Sequence, residues 1–175
     1  MYLELAYWNS IKEIIKRMVN SMRVNILNTA FDEYGDIALI KEKSFNCPEV
    51  TKRINDAEDV YLLALRAFRM NVLTEEYLYM LCLNAKNDVI SVFEISHGSI
   101  NMTIANPREI FQKALLANAY SIILIHNHPS GDPTPSMDDI NNKKRIKEAG
   151  DILGIKLLDS LVIGNKTYQS LMNIK

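Results

Sequence analysis

The stretch Ile125-His126-Asn127-His128-Pro129-Ser130-Gly131-Asp132-Pro133-Thr134-Pro135-Ser136-Met137-Asp138-Asp139 carries most of what this sequence says about itself. It grows out of residues 121–125, a continuous apolar run of the kind expected in a buried central strand. His126 and His128 are two apart at the end of that strand. Alternate strand residues share a face, so both imidazoles can address one ion. Pro129 stops the strand, and a loop rich in Pro and Gly turns the chain back. Ser136 can cap a new helix, which sets Asp139 in its first turn. Two imidazoles and a carboxylate make three ligands and leave a fourth position open, the pattern of catalytic rather than structural zinc.

Each piece also has a plainer explanation. His-x-His alone is a weak signal, and Ser136 with Asp139 three residues later suits a capping box with no ion. On spacing alone Asp138 is an alternative ligand. Taken together, however, the pieces use two of the chain's three histidines, beside a turn-rich loop where functional residues concentrate.

Outward from this stretch the pattern alternates strands and helices. Residues 77–83 and 89–95 read as a hairpin around Asn84-Ala85-Lys86-Asn87-Asp88, and residues 100–105 as a further strand. Asn106 caps a helix with Pro107 at its first position, and Glu109 stands where a capping box wants it. Ile110, Phe111, Ala114, Leu115 and Ala117 supply that helix's core face. Asp56 caps another helix through about Arg69, burying Val60, Leu63 and Ala64. Residues 155–163 and 166–170 flank Gly164-Asn165 as a closing hairpin. The order is β-α-β-β-(β)-α-β-α-β-β, which predicts an α/β fold with a mixed sheet flanked by helices.

Residues 1–45 read as an N-terminal helix and short extension, and residues 46–175 as the metal-binding domain. Trp8, Ile11, Ile15, Met18 and Met22 form one stripe of an amphipathic helix over residues 3–22, followed by a short strand at 37–40. That stripe suits packing on the main domain or a homo-oligomer with a second copy. Its polar face mixes both signs of charge, which argues against a membrane surface.

In 175 residues, 48% are hydrophobic and 23% charged, enough for one ordinary core. Twenty basic and 21 acidic residues give a net charge of −1, so strong nucleic-acid binding is not expected. Lys143, Lys144, Arg145 and Lys147 are most simply a solvated helix face. Cys47 and Cys82 support neither a disulfide framework nor a cysteine zinc site. There is no apolar run long enough to span a membrane and no signal-like N-terminus, so a soluble, cytoplasmic protein is the expectation.

His-x-His, seven residues, Ser, two residues, Asp resembles the JAMM (MPN-plus) metal-site signature of deubiquitinating metalloproteases. The fuller string from His126 to Asp139 is similar to the bacterial RadC branch of that superfamily. Asn106-Pro107-Arg108-Glu109-Ile110-Phe111 resembles that branch's helix opening, and Leu157-Leu158-Asp159 its later strand. The similarity covers residues 46–170. It implies a three-layer α/β/α sheet related to cytidine deaminases, with zinc held by His126, His128 and Asp139. A glutamate on an earlier strand would be the general base. By the RadC pattern of Glu, three residues, Gly-Thr, the match is Glu94 before Gly98, with Ser99 in place of Thr. Ser136 matches the serine that steadies the oxyanion, a role compatible with capping. Two features depart from the pattern. Ser160 stands where the branch usually has His, and residues 1–45 show no helix-hairpin-helix region. His97 matches no ligand position.

The leading expectation is a zinc hydrolase cleaving a peptide or isopeptide bond in a peptide or protein substrate. The alternatives are an accessory module of DNA repair or mobile-element biology with a non-catalytic metal site, and a metal-dependent nuclease.

Overall fold

The structure, a computed structural model, describes residues 22–47, 50–98 and 106–172. A hairpin of β1 (Met22–Phe31) and β2 (Ile37–Cys47) comes first, then helix α1 (Ala57–Phe68). The hairpin β3 (Glu76–Leu83) and β4 (Val89–Gly98) follows, then helix α2 (Pro107–Leu116). Strand β5 (Ser121–Asn127) leads into helix α3 (Met137–Leu153), and β6 (Lys156–Ile163) with β7 (Tyr168–Ser170) closes the chain. All seven strands join one sheet in the order β2-β1-β4-β3-β5-β6-β7. It is mixed, as expected: β1 with β4 and β5 with β6 are parallel, and the other neighbours are antiparallel.

The period-2 alternation of β3 and β5 divides the core into two layers. Tyr79, Leu81, Leu83, Ile123 and Ile125 pack with Val60, Leu63 and Ala64 of α1. Leu78, Met80, Cys82, Ile122 and Leu124 face the other way, against Ile110, Phe111 and Ala114 of α2 and Ile146 of α3. Helices therefore cover both faces, and every residue of β5 is buried. Burying each of its four Ile and Leu side chains contributes roughly 1.5–3 kcal/mol.

The helix ends follow their sequence signals. Asp56 accepts the Asp59 amide at the start of α1, and Asn106 accepts that of Arg108 at the start of α2. Gly154 ends α3 in the left-handed region at φ 73°. Gly150, inside α3, lets the helix press on the Ile155 carbonyl, where a β-carbon would collide.

The N-terminal part differs from expectation. Residues 3–21 of the expected amphipathic helix, and the strand expected at 100–105, lie outside the described residues. Met22, placed at the end of that helix, instead opens β1. The strand expected at 37–40 runs on to Cys47, and the boundary expected at residue 45 falls inside it. Met22, Val24 and Ile26 are buried while Arg23 is exposed, the alternation of a half-covered strand. Through β1 and β4 this hairpin belongs to the same sheet as the rest.

Candidate metal centre

His126 is the penultimate residue of β5, on the face shared with Leu124, and His128 follows just past the strand end. Ser136 brings α3 back across the same end and presents Asp139. His126 Nε2 lies 3.2 Å from His128 Nε2 and 3.2 Å from Asp139 Oδ1, and His128 Nε2 lies 3.5 Å from Asp139 Oδ2. Ligands about 2.0–2.1 Å from a tetrahedral ion stand roughly 3.3–3.4 Å apart along each edge, so these donors are spaced as such an ion requires. Among the described residues this is the group able to hold a metal. Asp138, the alternative on spacing, is exposed and outside it.

The surroundings aim the donors. His128 Nδ1 lies 2.8 Å from the Asp132 carbonyl, which can only accept. In the neutral ring the proton therefore sits on Nδ1 and Nε2 turns a lone pair toward the other donors. The Ser136 amide and hydroxyl both donate to Asp139 Oδ2 at 2.7 Å, and the Asp139 amide returns a bond to Ser136 Oγ at 3.2 Å. The capping box and the orientation of the carboxylate are one device. As placed, the single hydroxyl proton of Ser136 is directed at Asp139.

The electrostatics agree. Burial alone would raise the Asp139 carboxyl, but hydrogen bonds to His126, His128 and Ser136 outweigh it and hold it well below the usual carboxylate range. The bond to Asp139 raises the His128 imidazole against the burial that lowers it, and the Asp132 carbonyl and Glu76 charge add to the rise. A divalent cation bound here would displace whatever protons the donors carry.

Glu94 is not brought to this site. It sits opposite Tyr79, whose hydroxyl donates to Glu94 Oε2 at 3.2 Å, and Tyr79 packs in the α1 layer. Its other oxygen is 2.8 Å from His97 Nδ1. His126, paired with Leu78, faces the α2–α3 layer. The carboxylate expected to be the base is thus on the wrong side of the sheet. A one-residue shift at Leu78/Tyr79 sets the pairing that puts it there. Ser99, the other residue of that expected pattern, lies outside the described residues.

The acid that does face the donors is Glu76, which sequence reasoning missed. It begins β3 on the same face as Leu78, is 8% exposed, and lines one pocket with His126 and Asp139. Extending the register from Leu78 and His126 by two residues sets Glu76 opposite His128. Leu78, Leu124 and Ile146 form the apolar wall of the pocket, and Asn142, Lys143 and Ser160 the polar one. Ser160 is 6% exposed, so the place where a histidine was expected is a wall beside His126. Asp159 turns away from the pocket, with Ser170 and the Met172 and Ser160 amides bonded to its carboxylate.

A family model described as the RadC-like JAB domain matches residues 54–175. A UPF0758 protein of Clostridium tetani is 48% identical over 129 residues, which cover 74% of this chain and 55% of that protein. One from Clostridium beijerinckii is 49% identical over 160 residues, 83% of this chain and 70% of its own. Another, from Clostridium novyi, is 48% identical over 132 residues, 70% of this chain and 58% of its own. The chain thus spans little more than half the length of two of these relatives.

Proposed function

The chain belongs to the RadC-like JAB domain family, and from that premise we propose that it is a zinc-dependent hydrolase of peptide or isopeptide bonds. The observation that carries the reading is the convergence of a buried glutamate, Glu76, with His126 and Asp139 on one pocket. Two imidazoles and one carboxylate suit zinc, and three protein donors leave a position for chemistry. When bound there, the ion would polarise a carbonyl oxygen and make a water molecule more acidic.

Glu76 takes the role first expected of Glu94. Its carboxylate accepts a proton from the attacking water and returns it to the leaving nitrogen. Ser136 and the Asp132 carbonyl keep Asp139 and His128 aimed. The role expected of Ser136 toward the oxyanion is open to it once its hydroxyl turns from Asp139 to substrate. Leu78, Leu124 and Ile146 keep the proton transfer dry, and Asn142, Lys143 and Ser160 offer polar groups to the substrate.

The test is an internally quenched peptide carrying a glycyl-lysine isopeptide bond, incubated with the zinc-loaded protein. Cleavage is expected, lost with chelator, restored by zinc, and absent in the His126→Ala/His128→Ala variant. Cleavage surviving in that variant would overturn the assignment. Metal-dependent cleavage of single- or double-stranded DNA in place of the peptide would move the chain to the nuclease reading.

A further inference from the structure

Asn127 stands between the two histidines in sequence and is fully buried. Its side chain reaches across to β3. Oδ1 accepts the Tyr77 amide at 2.9 Å, and Nδ2 donates to the Glu75 carbonyl at 3.0 Å. These two backbone groups lie on either side of Glu76. The partners settle which end of the carboxamide is which, since an amide N–H only donates and a carbonyl only accepts.

The bonds fall where β5 stops supplying register pairs, while on its other edge the start of β3 still pairs with β4, Glu76 with Gly98 and Tyr77 with His97. Backbone pairing of β3 with β5 ends at Leu78 and His126. Beyond that point the His128 amide goes to Ile163, on the other neighbouring strand. Past the last β3–β5 register pair, the start of β3, which carries Glu76, is tied to β5 by the Asn127 side chain.

We infer that Asn127 is a positioning residue. Its carboxamide carries the tie between β5 and β3 past their last register pair and fixes the backbone on both sides of Glu76, holding that carboxylate against the face of His126 and Asp139. The inference rests on the reading of Glu76 as proton acceptor. A buried asparagine that merely satisfied two strands would need no relation to the site. Here both bonds bracket the acid that, among the described residues, lines the pocket beside the donors, and the asparagine lies on the donor strand itself. Donor strand and base strand are thereby tied into one rigid frame. Frames of this kind matter because a misplacement of about 1 Å costs on the order of 10²-fold in rate.

The test uses the full chain and two substitutions. Asn127→Ser is neutral and too short to reach both groups. Asn127→Asp keeps its volume and the Tyr77 acceptor but turns an oxygen toward the Glu75 carbonyl, so it remains informative if the serine variant does not fold. On the isopeptide probe, kcat is expected to fall on the order of 10²-fold with KM and bound zinc unchanged. In a Glu76→Gln background the same substitution should cost nothing further, the signature of a residue that acts through another. A loss that multiplies with that of Glu76→Gln, or a kcat equal to the parent's, overturns the inference.

A second readout needs no turnover. The visible absorption band of the cobalt-substituted protein should change alike in Asn127→Ser and Glu76→Gln and no further in the double variant. Hydrogen exchange at the Tyr77 amide should meanwhile accelerate in the serine variant. An unaltered cobalt band beside a freed Tyr77 amide would reduce Asn127 to a structural tie. If the parent cleaves nothing, the proposed activity fails, while the cobalt comparison still decides the clamp.

Discussion

Gly164 packs so closely on the Gly131 carbonyl that no β-carbon fits between them. Gly131 belongs to the loop between the two donor-bearing elements, and its carbonyl also accepts the Asn165 amide at 2.8 Å. The next residue, Asp132, supplies the carbonyl that orients His128. Gly164→Ala should therefore push on the loop and turn the His128 ring. Weakening of metal affinity by about 10–100-fold is expected, as for other losses of a ligand's orienting partner. Competition with a chromogenic chelator measures it, and affinity equal to the parent's would separate the loop from the site.

Ser136→Ala removes a helix cap and the hydroxyl that holds Asp139 together. The cap accounts for about 1 kcal/mol of stability, read from a denaturant midpoint. Metal affinity should fall in the same variant, whereas Ser136→Thr should keep most of both. A change in stability with no change in affinity would confine the residue to capping.

Glu76→Gln and Glu94→Gln separate the two faces of the sheet. The first should retain zinc and fold and lose about 10²–10⁴-fold in hydrolysis of the isopeptide probe. The second should leave zinc content intact and rate close to the parent's, because its carboxylate meets Tyr79 and His97 instead. Steady-state rates at matched zinc content decide between them, and the reverse ranking would refute the assignment of the base.

Removing the metal should lower thermal stability measurably. An ion bound only by the folded chain stabilises it by about 4 kcal/mol when present at about 1,000 times its dissociation constant. Differential scanning calorimetry with and without chelator should show the melting temperature fall in the parent. The His126→Ala/His128→Ala variant should show no such fall.

Cys82 should be inert. Burial pushes its thiol up to about 12, against a smaller pull the other way from the nearby Ser91 hydroxyl. At neutral pH the thiolate that alkylating reagents need is scarce and shielded. Peptide mass mapping after iodoacetamide treatment should find Cys82 modified only in denaturant.

The donor set was legible in the sequence because its three residues are local. A strand end, a Pro-Gly loop and a capping serine fix where His126, His128 and Asp139 go within one supersecondary unit. The layers were legible for the same reason, through the alternation of β3 and β5 and the caps at Asp56 and Asn106. Glu76 was not, because its place depends on β3 lying beside β5, a pairing between segments about fifty residues apart that no local pattern announces. Its one clue was parity: it shares a face with Leu78, Met80 and Cys82. Glu94 is what the family resemblance implies, through its place four residues before Gly98, and such a place in a pattern cannot say which face a strand residue takes once a bulge intervenes. In β1 the alternation of Met22, Val24 and Ile26 marks a strand, but Met22 also completes the helical stripe that begins at Trp8, so its spacing fits either element.

The parallel seam between β1 and β4 is held by two register pairs, Ile26 with Val92 and Leu27 with Phe93, while β3 and β5 share six. Sub-global opening follows such narrow seams, so the β1–β2 hairpin is the sheet's natural unit of partial unfolding. Its amides should exchange with solvent ahead of those in β3 and β5. The donors and Glu76 all lie beyond the seam, in the slower-opening part of the sheet. A chain strained at its first hairpin would accordingly keep the geometry of its site, and binding there would do little to quiet that hairpin's motion.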